Sequence, residues 1–307
     1  MIRDFAEHLR LFPADSPLQA LDDPFPEPVN IRLLLKRDDQ LHPLISGNKW
    51  RKLKYNLQAA HDQGFDTLLT FGGAYSNHLY ATAAAGQAFG FRTIGIVRGD
   101  ELAHKPLNTT LRFCQSCGMH LHFISRIDYQ RKDTAPFLTE LMKQFGPFYA
   151  LPEGGTNDLA IQGTAEIISE IISQLGYVPD YVACPVGTGG TVAGLALSAP
   201  AATTVLGFLS LHAADFKLPR HDSEAVRCQL KTAYAFGGYA KTTPELLDFI
   251  RAFERKTNVH VEHVYTGKML YGIYDLARTG YFKPNATVVA VHTGGLQGRS
   301  DALDNVA

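Results

Sequence analysis

Short apolar runs recur along the chain at strand length: IRLLLK from Ile31, TLLTF from Thr67, RTIGIV from Arg92, HLHFI from His120, PFYAL from Pro147, DYVACPV from Asp180, TTVLGFLS from Thr203 and TVVAVH from Thr287. Runs this short and this continuously apolar predict strands buried on both faces. Helix-length segments lie between most of them, at Leu107 to Cys117, Ala135 to Phe145, Ala160 to Leu175 and Pro244 to Lys256. Another helix is predicted to open at the capping-type residue Asn48, with Trp50, Leu53 and Leu57 spaced to share one apolar face. Strands alternating with helices imply right-handed βαβ crossovers, hence an α/β fold with mostly parallel, doubly wound sheets. There is no internal repeat and no low-complexity linker, so a second domain is expected as an insertion rather than as a tail.

Glycine clusters follow several of these strands: FGGAYSN at 71–77, PEGGTND at 152–158, PVGTGGTVAG at 185–194 and HTGGLQG at 292–298. Ligands of open parallel sheets bind beyond the carboxyl ends of the strands, in the loops that feed the helices. In PVGTGGTVAG a strand ends at Val186 and a helix begins near Thr191. Backbone N–H groups and the hydroxyls of Thr188 and Thr191 would cradle a single terminal phosphate there. The alternative is a tight turn that needs glycine for positive φ. No GK[ST] follows, so the loop is not a Walker loop. In FGGAYSNHLYATAAAG, Ser76 or Asn77 either caps an alanine-rich helix or holds a substrate carboxylate, and His78 is expected on the helix surface.

The stretch SGNKWRKLK places Lys49, Arg51 and Lys52 in the first turn of a helix. Anions are favoured there by about 0.3–1 kcal/mol each, so cations need a reason. Solvation or pairing is one answer. A second is an amine that must lose its proton: a helix N-terminus and burial both disfavour the ammonium, and Lys49 is thereby suited to a Schiff base. A reactive lysine combined with a phosphate cradle specifies pyridoxal phosphate.

Bulk properties narrow the field. The 307 residues carry 29 basic and 30 acidic side chains, with 45% hydrophobic and 19% charged content. No charge excess argues for nucleic acid or an anionic membrane. The first residues, MIRDFAEHLRLFPADSPLQ, lack a signal-peptide core, and no run reaches the ~18–20 apolar residues of a membrane span, so a cytoplasmic location is expected. Four cysteines form no disulfide framework. Cys114 and Cys117 make a CxxC followed by His120 and His122, but it closes a helix at Gly118 instead of opening one, and no metal site is expected.

Six motifs in order, SGNKWRKL, GGAYSN, PEGGTN, CPVGTGGTVAG, VYTGKMLYGI and HTGG, resemble the D-cysteine desulfhydrase and 1-aminocyclopropane-1-carboxylate deaminase family over nearly the whole chain. These are pyridoxal-phosphate enzymes of fold type II, related to the tryptophan synthase β subunit. The resemblance implies that Lys49 carries the cofactor and shuttles the Cα proton, that Asn77 meets the ring oxygen, and that Ser76 meets the substrate carboxylate. It implies a phosphate site at Gly187, Thr188, Gly189, Gly190 and Thr191, and two substrate-facing tyrosines, Tyr239 and Tyr265. Thr266 and Thr293 stand where ring-opening deaminases carry glutamate and leucine. A neutral hydroxyl at the pyridine nitrogen makes a weaker electron sink than a carboxylate does, which suits β-elimination of thiolate better than ring opening. Thr293 is the preferred contact.

The resemblance further implies a large domain of residues 1–49 and 152–307 around a smaller α/β domain of 50–151, with cofactor and substrate in the interdomain cleft, and a homodimer. The expected reaction converts a small amino acid, D-cysteine, to pyruvate, hydrogen sulfide and ammonia. The alternative is ring opening of 1-aminocyclopropane-1-carboxylate to 2-oxobutanoate and ammonia. A nucleotide-binding oxidoreductase would need an acidic residue about 20 positions past the glycine loop, where Asp215 comes too late. A non-catalytic binding protein would not need Lys49, Ser76, Asn77, Tyr239 and Tyr265 together. Trp50, Tyr75 and the stretch from Ala199 to Lys231 depart from the family pattern.

Overall fold

The computed structural model describes residues 5–212, 216–219 and 228–304. Its strands are β1 (Leu18–Leu21), β2 (Ile31–Lys36), β3 (Thr67–Gly72), β4 (Arg92–Arg98), β5 (His120–Ile124), β6 (Tyr149–Leu151), β7 (Tyr181–Val186), β8 (Thr204–Leu209), β9 (Cys228–Lys231) and β10 (Ala286–Val291). Each of the eight apolar runs forms a strand, although PFYAL is strand only from Tyr149. Two short strands, β1 and β9, are additions. Both lie at the edges of one sheet, where four residues with half-buried side chains leave no apolar run to read. Of the stretch from Ala199 to Lys231, residues 213–215 and 220–227, Asp215 included, lie outside the described residues.

The chain divides into two compact units. The first comprises Met1–Pro13, His42–Ile45 and Lys49–Gly163, and the second Ala14–Leu41, Ser46–Asn48 and Thr164–Ala307. The first unit thus joins N-terminal residues to the long segment Lys49–Gly163. Aromatic packing accounts for the N-terminal part: Phe5 meets Phe89 and Phe91, and Phe12 stacks on Trp50. At the other boundary, a β-carbon at Gly163 would lie 2.0 Å from the Arg51 carbonyl oxygen, so this glycine permits a close approach within the unit.

In the first unit a parallel sheet of order β5-β4-β3-β6 is covered on both faces. Leu69, Phe71, Ile94 and Ile96 pack with Phe137 and Leu141 of the helix Ala135–Phe145. On the other face Val97 packs with Leu79, Ala83, Leu111 and Cys114 from two helices. In the second unit the order is β1-β2-β10-β7-β8-β9, and all pairs are parallel except β1 with β2. The period-2 alternation of strand side chains divides its core. Leu33, Leu35, Val288 and Ala290 face the helices Pro244–Thr257 and Thr266–Arg278, while Leu34, Val289, Val291, Val182 and Val186 face Ile167, Ile171 and Leu195. The molecule is thus an α/β protein of mostly parallel sheets, and adjacent strands deliver their glycine loops side by side: β3 and β6 in one unit, β7 and β10 in the other.

Candidate active site

In the second unit the loop after β7 enters the helix Gly190–Ser198 through Gly189, whose φ of 87° is left-handed. Its N-cap Gly189 offers no side-chain cap, and a helix start of this kind suits an anion. Thr191 is buried, and its Oγ1 accepts a hydrogen bond from Asn48 Nδ2 at 2.8 Å. A β-carbon at Gly187 would lie 3.2 Å from the Tyr265 ring, so the ring lies close to this loop.

The loop after β10 interlocks with the segment Ser46–Asn48. Asn48 N donates to the Thr293 carbonyl at 3.3 Å. Gly47 has φ +63°, and a β-carbon there would lie 1.9 Å from the Thr293 oxygen. Only glycine satisfies both the conformation and the contact. His292 anchors the loop from beneath: Gly294 N donates to its Nδ1 at 3.2 Å, and its Nε2 lies 2.8 Å from the His260 carbonyl. That pairing assigns the ring proton to Nε2, and burial keeps the imidazole neutral.

The helix Thr266–Arg278 begins on a buried carboxylate. Glu262 accepts N–H bonds from Val264 at 2.6 Å, Tyr265 at 2.9 Å and Thr266 at 2.5 Å, which replaces a conventional cap and fixes the Tyr265 backbone. Burial raises the Glu262 carboxyl pKa, opposed by these N–H donors. The Thr266 hydroxyl lies close enough to Glu262 to lower that pKa but falls short of hydrogen-bond geometry, and it is fully buried. Tyr239 is 45% exposed, and its ring meets Tyr265 edge-on at 6.0 Å between centroids.

In the first unit Lys49 stands in the first turn of the helix Asn48–Asp62, and desolvation lowers its pKa from 10.5 to about 8. Arg51 and Lys52 are buried as well, so the cations of this turn are not a solvated face. Lys52 Nζ donates to the Gly154 carbonyl at 2.9 Å and to Thr156 Oγ1 at 3.1 Å, securing the PEGGTND loop. Ser76 caps the helix Asn77–Phe89: its Oγ accepts from His78 N and Leu79 N, each at 3.2 Å.

His78 corrects an expectation. It is 1% exposed rather than on the helix surface, and among the described residues neither ring nitrogen has a hydrogen-bond partner. Its ring lies beneath Gly155, where a β-carbon would approach Cε1 to 2.7 Å. Burial, with Lys49 and Lys52 nearby, holds its pKa well below the histidine range. The Cys114 thiol is buried and pushed up to about 12, and Cys117 is raised too, which suppresses thiolate chemistry at the CxxC.

The sequence profile of the family described as "pyridoxal-phosphate dependent enzyme" matches residues 9–294. The chain belongs to the pyridoxal-phosphate-dependent enzyme family. Within it, a bifunctional D-cysteine desulfhydrase/1-aminocyclopropane-1-carboxylate deaminase of Arabidopsis thaliana is 31% identical over 99% of this chain and 84% of its own length. A crystal structure of an ACC deaminase homologue superposes with a TM-score of 0.80 at 28% identity, covering 97% of this chain and 96% of that one. The structure of O-ureido-L-serine synthase, 15% identical with a TM-score of 0.69 over 100% and 96% of the chains, shares the fold.

Sequence reasoning finds Asn48 only as a cap and Lys52 only as a first-turn cation, and it misses Glu262 and Lys268. Glu262 leaves a trace, an acidic residue four positions before the first helical residue Thr266. Lys268 contacts main-chain oxygens distant in sequence, and no local pattern marks that role.

Proposed function

We propose that the chain catalyses α,β-elimination on a small amino acid, with D-cysteine and water giving pyruvate, hydrogen sulfide and ammonia. The observation that carries this reading is Asn48. It bonds through its side chain to Thr191 of the glycine loop and through its N–H to Thr293, and the next residue is the desolvated Lys49. A lysine with a lowered pKa, an uncapped helix start after a glycine turn and a buried hydroxyl at Thr266 fit the aldehyde, phosphate and ring of pyridoxal phosphate. When bound, that cofactor supplies a carbonyl for amine exchange and a ring that accepts electrons from Cα.

The residues divide the remaining work. Lys49, neutral in a large fraction near pH 8, holds the cofactor and then takes the Cα proton on Nζ. Ser76 Oγ accepts two backbone N–H bonds, which leaves its own proton to donate to the substrate carboxylate. Thr191 Oγ1 likewise accepts from Asn48 and donates to a phosphate oxygen, joined by Thr188 and the N–H groups of Gly187 to Gly190. Asn77 orients the ring oxygen. Thr293 or Thr266 meets the ring nitrogen without a formal charge, and Tyr239 with Tyr265 orients the departing sulfur. The near-neutral charge balance and four free cysteines support a reducing cytoplasmic setting, and the family resemblance supports a homodimer.

A second reading, ring opening of 1-aminocyclopropane-1-carboxylate, draws support from the names of the plant relative and the structural neighbour. Thr266 in place of a carboxylate weighs against it. Purified, cofactor-loaded protein assayed with D-cysteine, L-cysteine, D-serine and the cyclopropane acid decides between them. Sulfide and pyruvate from D-cysteine support elimination; 2-oxobutanoate alone supports the deaminase, and sulfide from neither cysteine removes the first reading.

A further inference from the structure

The segment that carries Tyr239 has an unusual backbone. Phe236, Gly237, Gly238 and Ala240 all have positive φ, at 49°, 86°, 116° and 55°. Two of these residues bear a β-carbon, and such conformations persist only where surrounding structure holds them. What holds this one is a buried ammonium. Lys268 is 1% exposed, and its Nζ donates to the Gly238 carbonyl at 2.7 Å, the Ala235 carbonyl at 2.8 Å and the Ser210 carbonyl at 3.4 Å.

The arrangement uses all three ammonium donors on main-chain oxygens. Two of the acceptors bracket Phe236 and Gly237, immediately before Tyr239. The third, Ser210, follows β8 and is itself fixed by its N–H to the Val186 carbonyl at 3.1 Å, at the end of β7. Lys268 also sits on the first turn of the helix whose cap position is Tyr265. The two tyrosines, 26 positions apart in sequence, are therefore joined through one side chain. Burying an ammonium is costly unless it is fully hydrogen-bonded, and an apolar residue would pack the same helix face more simply. Desolvation lowers the Lys268 pKa to about 8, opposed by Glu262.

We propose that Lys268 is a positioning residue that holds the 235–238 turn so that Tyr239 stands edge-on to Tyr265; the catalytic part of this proposal rests on the reading of both tyrosines as substrate-facing. Lys268 acts through the loop and touches neither substrate nor cofactor.

Two readouts on the cofactor-loaded enzyme test it. In hydrogen exchange, Lys268→Met should speed the amides of residues 236–241 at least tenfold while those of β7 and β10 keep wild-type protection. In a double-mutant cycle on sulfide release, Lys268→Met should lower kcat at least tenfold in the wild-type background and less than twofold in Tyr239→Phe. Unchanged exchange in the loop, or losses that multiply across the two backgrounds, overturns the proposal. Should Tyr239→Phe retain full activity, the reading of Tyr239 falls while the exchange measurement still decides the tether. Should Lys268→Met not fold, Lys268→Gln, which keeps amide donors on a shorter side chain, takes its place with a smaller expected effect. Wild-type exchange and wild-type kcat in that variant likewise overturn it.

Discussion

Asn48 Nδ2 donates to Thr191 Oγ1 at 2.8 Å, and through that bond the residue before Lys49 is held to the glycine-rich turn that follows β7. The two residues lie 143 positions apart. The bond thus ties the segment Ser46–Asn48 to the turn after β7 within the second unit.

Asn48→Ala removes the bond and leaves the Thr191 hydroxyl without that donor. A partly buried hydrogen bond of this kind contributes about 1–1.5 kcal/mol, so pyridoxal phosphate should dissociate about tenfold more readily. Equilibrium dialysis followed by cofactor absorbance measures this, and an unchanged dissociation constant would remove Asn48 from the cradle.

Gly47→Ala sets a methyl group into the Thr293 carbonyl at a left-handed φ. Overpacking and backbone strain each cost about 1–3 kcal/mol. The thermal midpoint should fall by several degrees, and the cofactor should be lost with it. Calorimetry of the variant beside Gly64→Ala, at a position with φ +76° and no neighbour within 4 Å, separates the contact from the backbone conformation.

Lys49 carries a pH signature. Its pKa is depressed when folded, from 10.5 to about 8. Between these values the unfolded chain binds the proton and the native chain does not, so stability rises with pH across this interval, and the full penalty is present below it. In the apo-protein Lys49→Met should therefore be more stable than wild type at pH 7, by about 3 kcal/mol, with the gap closing toward pH 10. Denaturant titrations at both pH values check the sign. Capture of pyridoxal phosphate by the wild type, trapped with borohydride, should accelerate through pH 8 rather than near 10.

His78 has the acid-side counterpart. Its pKa is held well below 6.5 in the native state, so the unfolded chain gains a proton first as pH falls. Stability is lost on acidification through 6.5, at up to about 1.4 kcal/mol per pH unit. His78→Leu should flatten the loss between pH 6.5 and 5 relative to wild type. An unchanged slope in urea melts would mean that the imidazole is solvated.

Much of the architecture is legible in the sequence because its causes are local. A parallel strand covered on both faces needs a largely apolar run, and the runs at β3, β7, β8 and β10 meet that need. Helix starts are legible at Asn48, Ser76 and Pro244, where capping residues or proline mark them. β1 and β9 are not, since each has only four residues, with Gln19 interrupting the first and Gln229 and Lys231 the second, so neither forms a continuous apolar run. The burial of His78 is hidden for a related reason: its helix buries Leu79, Ala81, Thr82, Ala83, Ala84 and Ala85, so no polar face exists from which to read exposure.

By itself, the sequence determined the strand and helix order, the glycine loops and the chemical types present, because backbone propensity, side-chain period and the need for positive φ act over a few residues. Tertiary structure alone decided which loops became neighbours, through the order β1-β2-β10-β7-β8-β9 and β5-β4-β3-β6. It also decided which titratable groups lost their water. The pKa values of Lys49, His78 and Lys268 and the support beneath Tyr239 and Tyr265 depend on desolvation and on hydrogen bonds to residues far along the chain, and neither is encoded in any local spacing.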